Sequence, residues 1–84
     1  MDINGVEQAI KDFVLREFLP GEDPSNLSDT TPLISAGILD SIATLKTVMF
    51  LEETFSISLE ASETDPEHMD TIKRMAELVA SKLS

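Results

Sequence analysis

The chain is predicted to be all-α, a small four-helix bundle of three main helices and one short helix. Three observations carry this. Apolar residues recur at helical spacing in three separate segments. No stretch alternates apolar and polar residues as a half-buried strand does. And 84 residues suffice for one small core, so residues 1–84 are expected to form a single domain.

Residues 3–18 are the first helix. Ile3, Val6, Ile10, Phe13 and Val14 fall on one stripe, with Lys11, Asp12 and Arg16 away from it. Asp2 or Asn4 is placed to cap it, and Pro20-Gly21 ends it. Residues 19–40 are then a long connection containing Pro20, Pro24 and Pro32. Loops of this length often carry function. Leu27, Leu33, Ile34, Ile38 and Leu39 are expected to pin it to the core.

Residues 41–55 form the second helix, and their apolar residues divide between two faces. At about 100° per residue, Val48, Leu51 and Phe55 share a core stripe with Thr44 beside it. Ile42 and Met49 lie nearly opposite, with Leu45, Lys46 and Glu53 around them. An exposed apolar strip with a charged rim suits a protein-docking helix. Phe50 falls between the faces. With Leu45, Leu51 and Phe55 nearby, it leaves little void to enclose a long chain. Residues 56–70 are polar, with Ile57 and Leu59 turned inward and a short helical turn at Asp65-Pro66-Glu67-His68-Met69. Residues 71–83 are the last helix. Asp70 or Thr71 caps it, and Ile72, Met75, Ala76, Val79 and Leu83 form its buried stripe.

Sixteen acids against six basic residues give a net charge of −10. That balance excludes nucleic acid as a partner, because such binding needs Lys and Arg against phosphates. It favours basic protein surfaces reached by electrostatic steering. Seven acids and no Lys or Arg lie between residues 47 and 72, and this one-sided clustering points to docking. With no cysteine in the chain, disulfides and thiolate metal sites are excluded. The acids of Glu63-Asp65-Glu67 lack the glycine and closing glutamate of a calcium loop, so no metal is expected. His68, the single histidine, reads as a surface residue. No Gly-rich phosphate loop is present. No catalytic residues are therefore expected, and the chain does not read as an enzyme. No segment reads as a membrane span or signal peptide, so a cytoplasmic location is expected.

The run Gly37-Ile38-Leu39-Asp40-Ser41-Ile42 closes the long loop and opens the second helix. Ser41 thus stands where unpaired N–H groups and partial positive charge favour a phosphate ester. This segment, with the element order around it, resembles the acyl and peptidyl carrier proteins. Val48-Met49-Phe50-Leu51-Glu52-Glu53 looks like that family's recognition helix, and Met69-Asp70-Thr71-Ile72 like the segment opening its last helix. The resemblance implies a bundle of the acyl carrier type with a long first loop. It implies a freestanding carrier, expected to be monomeric, whose Ser41 receives phosphopantetheine from coenzyme A by a phosphopantetheinyl transferase. Asp40 would help position the transferase's metal-bound substrate. Ile42, Leu45 and Met49 would supply apolar partner contacts, while Glu52 and Glu53 would meet basic residues. The arm would hold acyl or aminoacyl groups as thioesters, loaded by a ligase and passed to downstream biosynthetic enzymes. Leu39 before Asp40, two residues between Gly37 and Asp40, Ala43, Lys46 and Phe50 resemble peptidyl, aminoacyl or specialised carriers more than the general fatty-acid carrier. The alternative is an acidic helical adaptor that binds one basic protein and needs no modified serine.

Overall fold

The first helix, α1 (Ile3–Phe18), starts where the Asp2 carboxylate accepts the Gly5 N–H at 2.8 Å. This computed structural model describes residues 2–83. Val6, Ile10, Phe13 and Val14 of α1 are buried, as helical spacing requires. Ile3 departs from the expected stripe and is 41% exposed. It lies one turn before Val6, beyond the reach of the core. The helix stops at Leu19, whose N–H donates to the Leu15 carbonyl, ahead of a turn in which Gly21 takes φ +85°.

The long connection is irregular yet docked. It contains a 3-10 turn at Pro24–Asn26 that the sequence reading missed, capped by Asp23. Leu27, Leu33 and Leu39 are buried, with Ile34 and Ile38 packed against the same core. Two backbone hydrogen bonds fix it to the far end of the chain. Leu33 N–H donates to the Asp70 carbonyl, and Lys73 N–H to the Asp29 carbonyl.

Helix α2 (Ser41–Phe55) buries Ala43, Thr47, Val48, Leu51 and Phe55. Its core face is therefore rotated slightly from the expectation. Thr47 is the fully buried polar residue, and Thr44 is only half-buried. The Thr47 hydroxyl donates to the Ala43 carbonyl at 2.8 Å, which removes the penalty of burying it. The helix ends on Ser56 in the left-handed region, at φ 54°.

A second 3-10 turn, Ala61–Glu63, precedes the short α3 (Pro66–Met69), which has Pro66 in its first turn and Asp65 as its cap. Ile57 and Leu59 pack against the core as expected. Helix α4 (Ile72–Leu83) buries Ile72, Met75, Ala76, Leu78 and Val79. Thr71 caps it by accepting the Arg74 N–H at 3.0 Å. Leu83, placed on the buried stripe by spacing alone, is 46% exposed. Leu78, outside the expected stripe, is buried instead. The α1–α4 pair makes the most extensive helix contact. Lys82 on α4 reaches Glu63 at 2.8 Å and ties the second 3-10 turn to the bundle. Among the described residues the architecture is four helices and two 3-10 turns with no strand.

Candidate functional site

Asp40 and Ser41 have distinct structural jobs. Asp40 is the N-cap of α2. Its carboxylate accepts the Ala43 N–H at 2.8 Å, and its carbonyl accepts both the N–H and the hydroxyl of Thr44. Ser41 is the first helical residue, so capping makes no demand on it. It is exposed, and its hydroxyl has no hydrogen-bond partner among the described residues. The first N–H groups of α2, those of Ser41 and Ile42, have no acceptor within the helix and leave partial positive charge at the hydroxyl.

A groove of about 470 Å³ adjoins it, lined by Ile34 and Leu39 of the loop, Asp40, Ser41 and Thr44 at the start of α2, and Thr64 and Pro66 beside α3. Its apolar walls and scattered hydroxyls suit a flexible chain that carries both methylene and amide groups. The residues present thus fit a phosphopantetheine group esterified at Ser41.

The outer face of α2 lies where helical geometry puts it. Ile42 is 67% exposed, Leu45 60% and Met49 50%. Lys46 and Glu53 are exposed beside them. Glu52 differs from the other expected contact residues. Half-buried, it accepts the Leu59 N–H at 2.9 Å, so its carboxylate holds the connection after α2 instead of joining the outer strip.

Phe50 faces α1. Its ring stacks on Phe13, with centroids 4.1 Å apart and planes 17° from parallel. Phe18 and Phe55 meet this pair edge-on. Four rings thereby form one aromatic cluster between the flank of α2 and α1, and the intermediate helical angle of Phe50 had not indicated α1 as the element it meets.

The acidic stretch is less uniform than its sequence implies. Asp65 accepts from the His68 ring at 2.7 Å, and that hydrogen bond lowers its pKa from the usual carboxylate value. Glu63 is lowered first by its hydrogen bond to Lys82, a basic residue supplied from outside the stretch. Glu53, Glu60 and Glu67 make no ion pair among the described residues. His68 is half-exposed on the surface. Among the described residues no cluster of three metal-ligating side chains exists, and no helix is long and apolar enough to cross a membrane.

No family model matches the chain. It is 36% identical over 72 residues to a D-alanyl carrier protein of Streptococcus uberis, covering 86% of this chain and 87% of that protein. A D-alanyl carrier protein of Streptococcus pyogenes serotype M1 is 31% identical over the same shares. Among solved structures, one described as KstB-PCP in its apo form superposes with a TM-score of 0.81 at 28% identity, over 99% of this chain and 91% of that one.

Proposed function

The chain belongs to the carrier protein family of these relatives, and we propose that it carries acyl or aminoacyl groups on a phosphopantetheine arm attached to Ser41. It is a carrier and not an enzyme. The observation that carries the attachment site is the exposed Ser41 hydroxyl at the first position of α2, without a hydrogen-bond partner among the described residues. With Asp40 serving as the cap, the serine is available for chemistry at no cost to the helix. Phosphopantetheine supplies a long flexible arm ending in a thiol, on which cargo is held as a thioester.

The protein's own residues present and steer. The first turn of α2 offers its free N–H groups to the phosphate ester. Ile42, Leu45 and Met49 form the apolar part of the docking surface, rimmed by Glu53 and by Lys46. Partners include a phosphopantetheinyl transferase, a loading ligase and downstream biosynthetic enzymes, and the carrier raises the effective concentration of cargo at each of them. The cargo is short or polar, because Phe13, Phe18, Phe50 and Phe55 fill the space between α1 and α2. A D-alanyl group, named in the relatives, fits that limit. The domain spans residues 1–84 and works in the cytoplasm as a monomer.

Intact-mass measurement after incubation with coenzyme A and a broad-specificity phosphopantetheinyl transferase tests the reading. The wild type should gain one phosphopantetheine and Ser41→Ala none. A wild type that stays unmodified while still binding a basic partner would favour an adaptor instead.

A further inference from the structure

Asp70 lies outside α2, yet it makes a dense set of polar contacts with the loop that leads to Ser41. Its Oδ1 accepts the Ile34 N–H at 2.8 Å and the Ser35 N–H at 2.9 Å, and its Oδ2 accepts the Ser35 hydroxyl at 2.7 Å. Its carbonyl accepts the Leu33 N–H, and its own N–H donates to the Pro66 carbonyl. The Leu33 carbonyl in turn accepts the Leu39 N–H at 2.9 Å. Leu39 immediately precedes Asp40, the cap of α2. One residue at the α3–α4 junction is thus connected to both sides of the groove beside Ser41: to Ile34 and Leu39 on the loop, and to Pro66 on α3.

We propose that Asp70 is a positioning residue for Ser41, clamping Leu33–Ser35 to the α3–α4 junction so that Leu39, Asp40 and the groove keep the geometry a modifying enzyme reads. The inference rests on Ser41 being the attachment site. A carboxylate suits the task because it accepts from three donors at once, and such charge-assisted bonds are the stronger kind. The Ser35 hydrogen bonds, ahead of that from Ile34, hold the Asp70 carboxyl below the usual carboxylate range, so it stays ionised while it clamps. Capping of α4 is not its role, since Thr71 performs that.

The clamp can be removed without unfolding the chain. Leu27, Leu33 and Leu39 remain buried, and the Leu33 hydrogen bond goes to a backbone carbonyl that every substitution keeps. Asp70→Ala releases the three donors at residues 34 and 35. Asp70→Asn retains one acceptor oxygen and offers an N–H to the Ser35 hydroxyl, so it is the conservative variant.

The test combines transferase kinetics with amide hydrogen exchange measured by NMR on the full chain, with coenzyme A as donor. Losing a charge-assisted bond should cut the population of the competent loop, and with it kcat/KM, about tenfold in Asp70→Ala. The loss should appear as a raised KM for the carrier with kcat nearly unchanged, because saturating carrier still fills the transferase with the minor competent state. Asp70→Asn should recover most of the efficiency. Exchange at the Ile34, Ser35 and Leu39 amides should quicken in Asp70→Ala, while Val14 and Val79 keep their protection. Wild-type efficiency in Asp70→Ala would overturn the proposal alone. So would protection lost equally at Val14 and Val79, which would make Asp70 a general stabiliser. A wild type that accepts no arm would overturn both this proposal and the assignment of Ser41.

Discussion

Two neighbouring positions on α2 should respond in opposite ways to truncation. Leu51 is fully buried, whereas Met49 is 50% exposed. A domain of 84 residues at about 0.05–0.15 kcal/mol per residue has a total stability of roughly 4–13 kcal/mol. Leu51→Ala removes core contacts and leaves a cavity, at a cost of about 2–5 kcal/mol. At about 4–8 °C per kcal/mol for a domain this small, Tm falls by roughly 8–40 °C. Met49→Ala alters a side chain that projects from the surface and should stay within about 0.5 kcal/mol of wild type, or roughly 4 °C. Transferase binding should follow the reverse order. A docking side chain at the centre of an interface contributes more than about 1 kcal/mol, so Met49→Ala should raise KM about fivefold or more. Melting followed by circular dichroism and modification kinetics well below Tm measure both. A fall in Tm above about 8 °C for Met49→Ala, or an unchanged KM, would refute the division of α2 into a core face and a docking face.

Other expectations follow from single contacts. Ser56 closes α2 in the left-handed region, where a side chain costs roughly 1 kcal/mol that glycine does not incur, so Ser56→Gly should raise the urea midpoint. Asp40→Ala should lose about 1 kcal/mol by removing the cap bond to Ala43, whereas Ser41→Ala should melt like the wild type; equal losses would show that Ser41 shares the capping. Glu63, Asp65 and Asp70 have lowered pKa values, set mainly by hydrogen bonds from Lys82, His68 and Ser35. Their stabilisation is in place above the unfolded carboxylate pKa, about 4, and is lost as pH falls through the lower folded values, so urea midpoints should drop only in acid. Glu7 has the opposite sign. Burial first, and the Asp29 carboxylate next, raise its pKa, so Glu7→Gln should stabilise the protein at neutral pH and make no difference near pH 3 in urea titrations. Transferase association should slow as salt shortens the Debye length below its physiological value of about 8 Å, and rates flat across salt would assign the exposed acids to solubility alone.

Local rules acting on the sequence determined the helices and the position of Ser41. The 3.6-residue period set Val6, Ile10, Phe13 and Val14 inside and left Ile42 and Met49 outside, because a helix fixes which side chains share a face. The proline at residue 66 marked a helix start for reasons confined to a single turn, whereas local rules left Asp2 or Asn4 and Asp70 or Thr71 as alternative caps and the structure selected Asp2 and Thr71. The same local rules misjudged Ile3 and Leu83, since periodicity continues to the end of a helix whether or not a neighbour is there to cover it. Glu52 was placed on the docking face by the family resemblance and not by helical spacing, and the Leu59 N–H it accepts belongs to a later segment that no local rule reaches. Only the tertiary structure decided the Phe13–Phe50 stack, the Lys82–Glu63 pair and the triple acceptance by Asp70. Each joins residues far apart in the chain, and no short-range spacing encodes which distant donor a carboxylate meets or which ring another ring covers. That depends on how the long loop settles against α3 and α4, where burial of Leu27, Leu33 and Leu39 offsets the entropy of closing it.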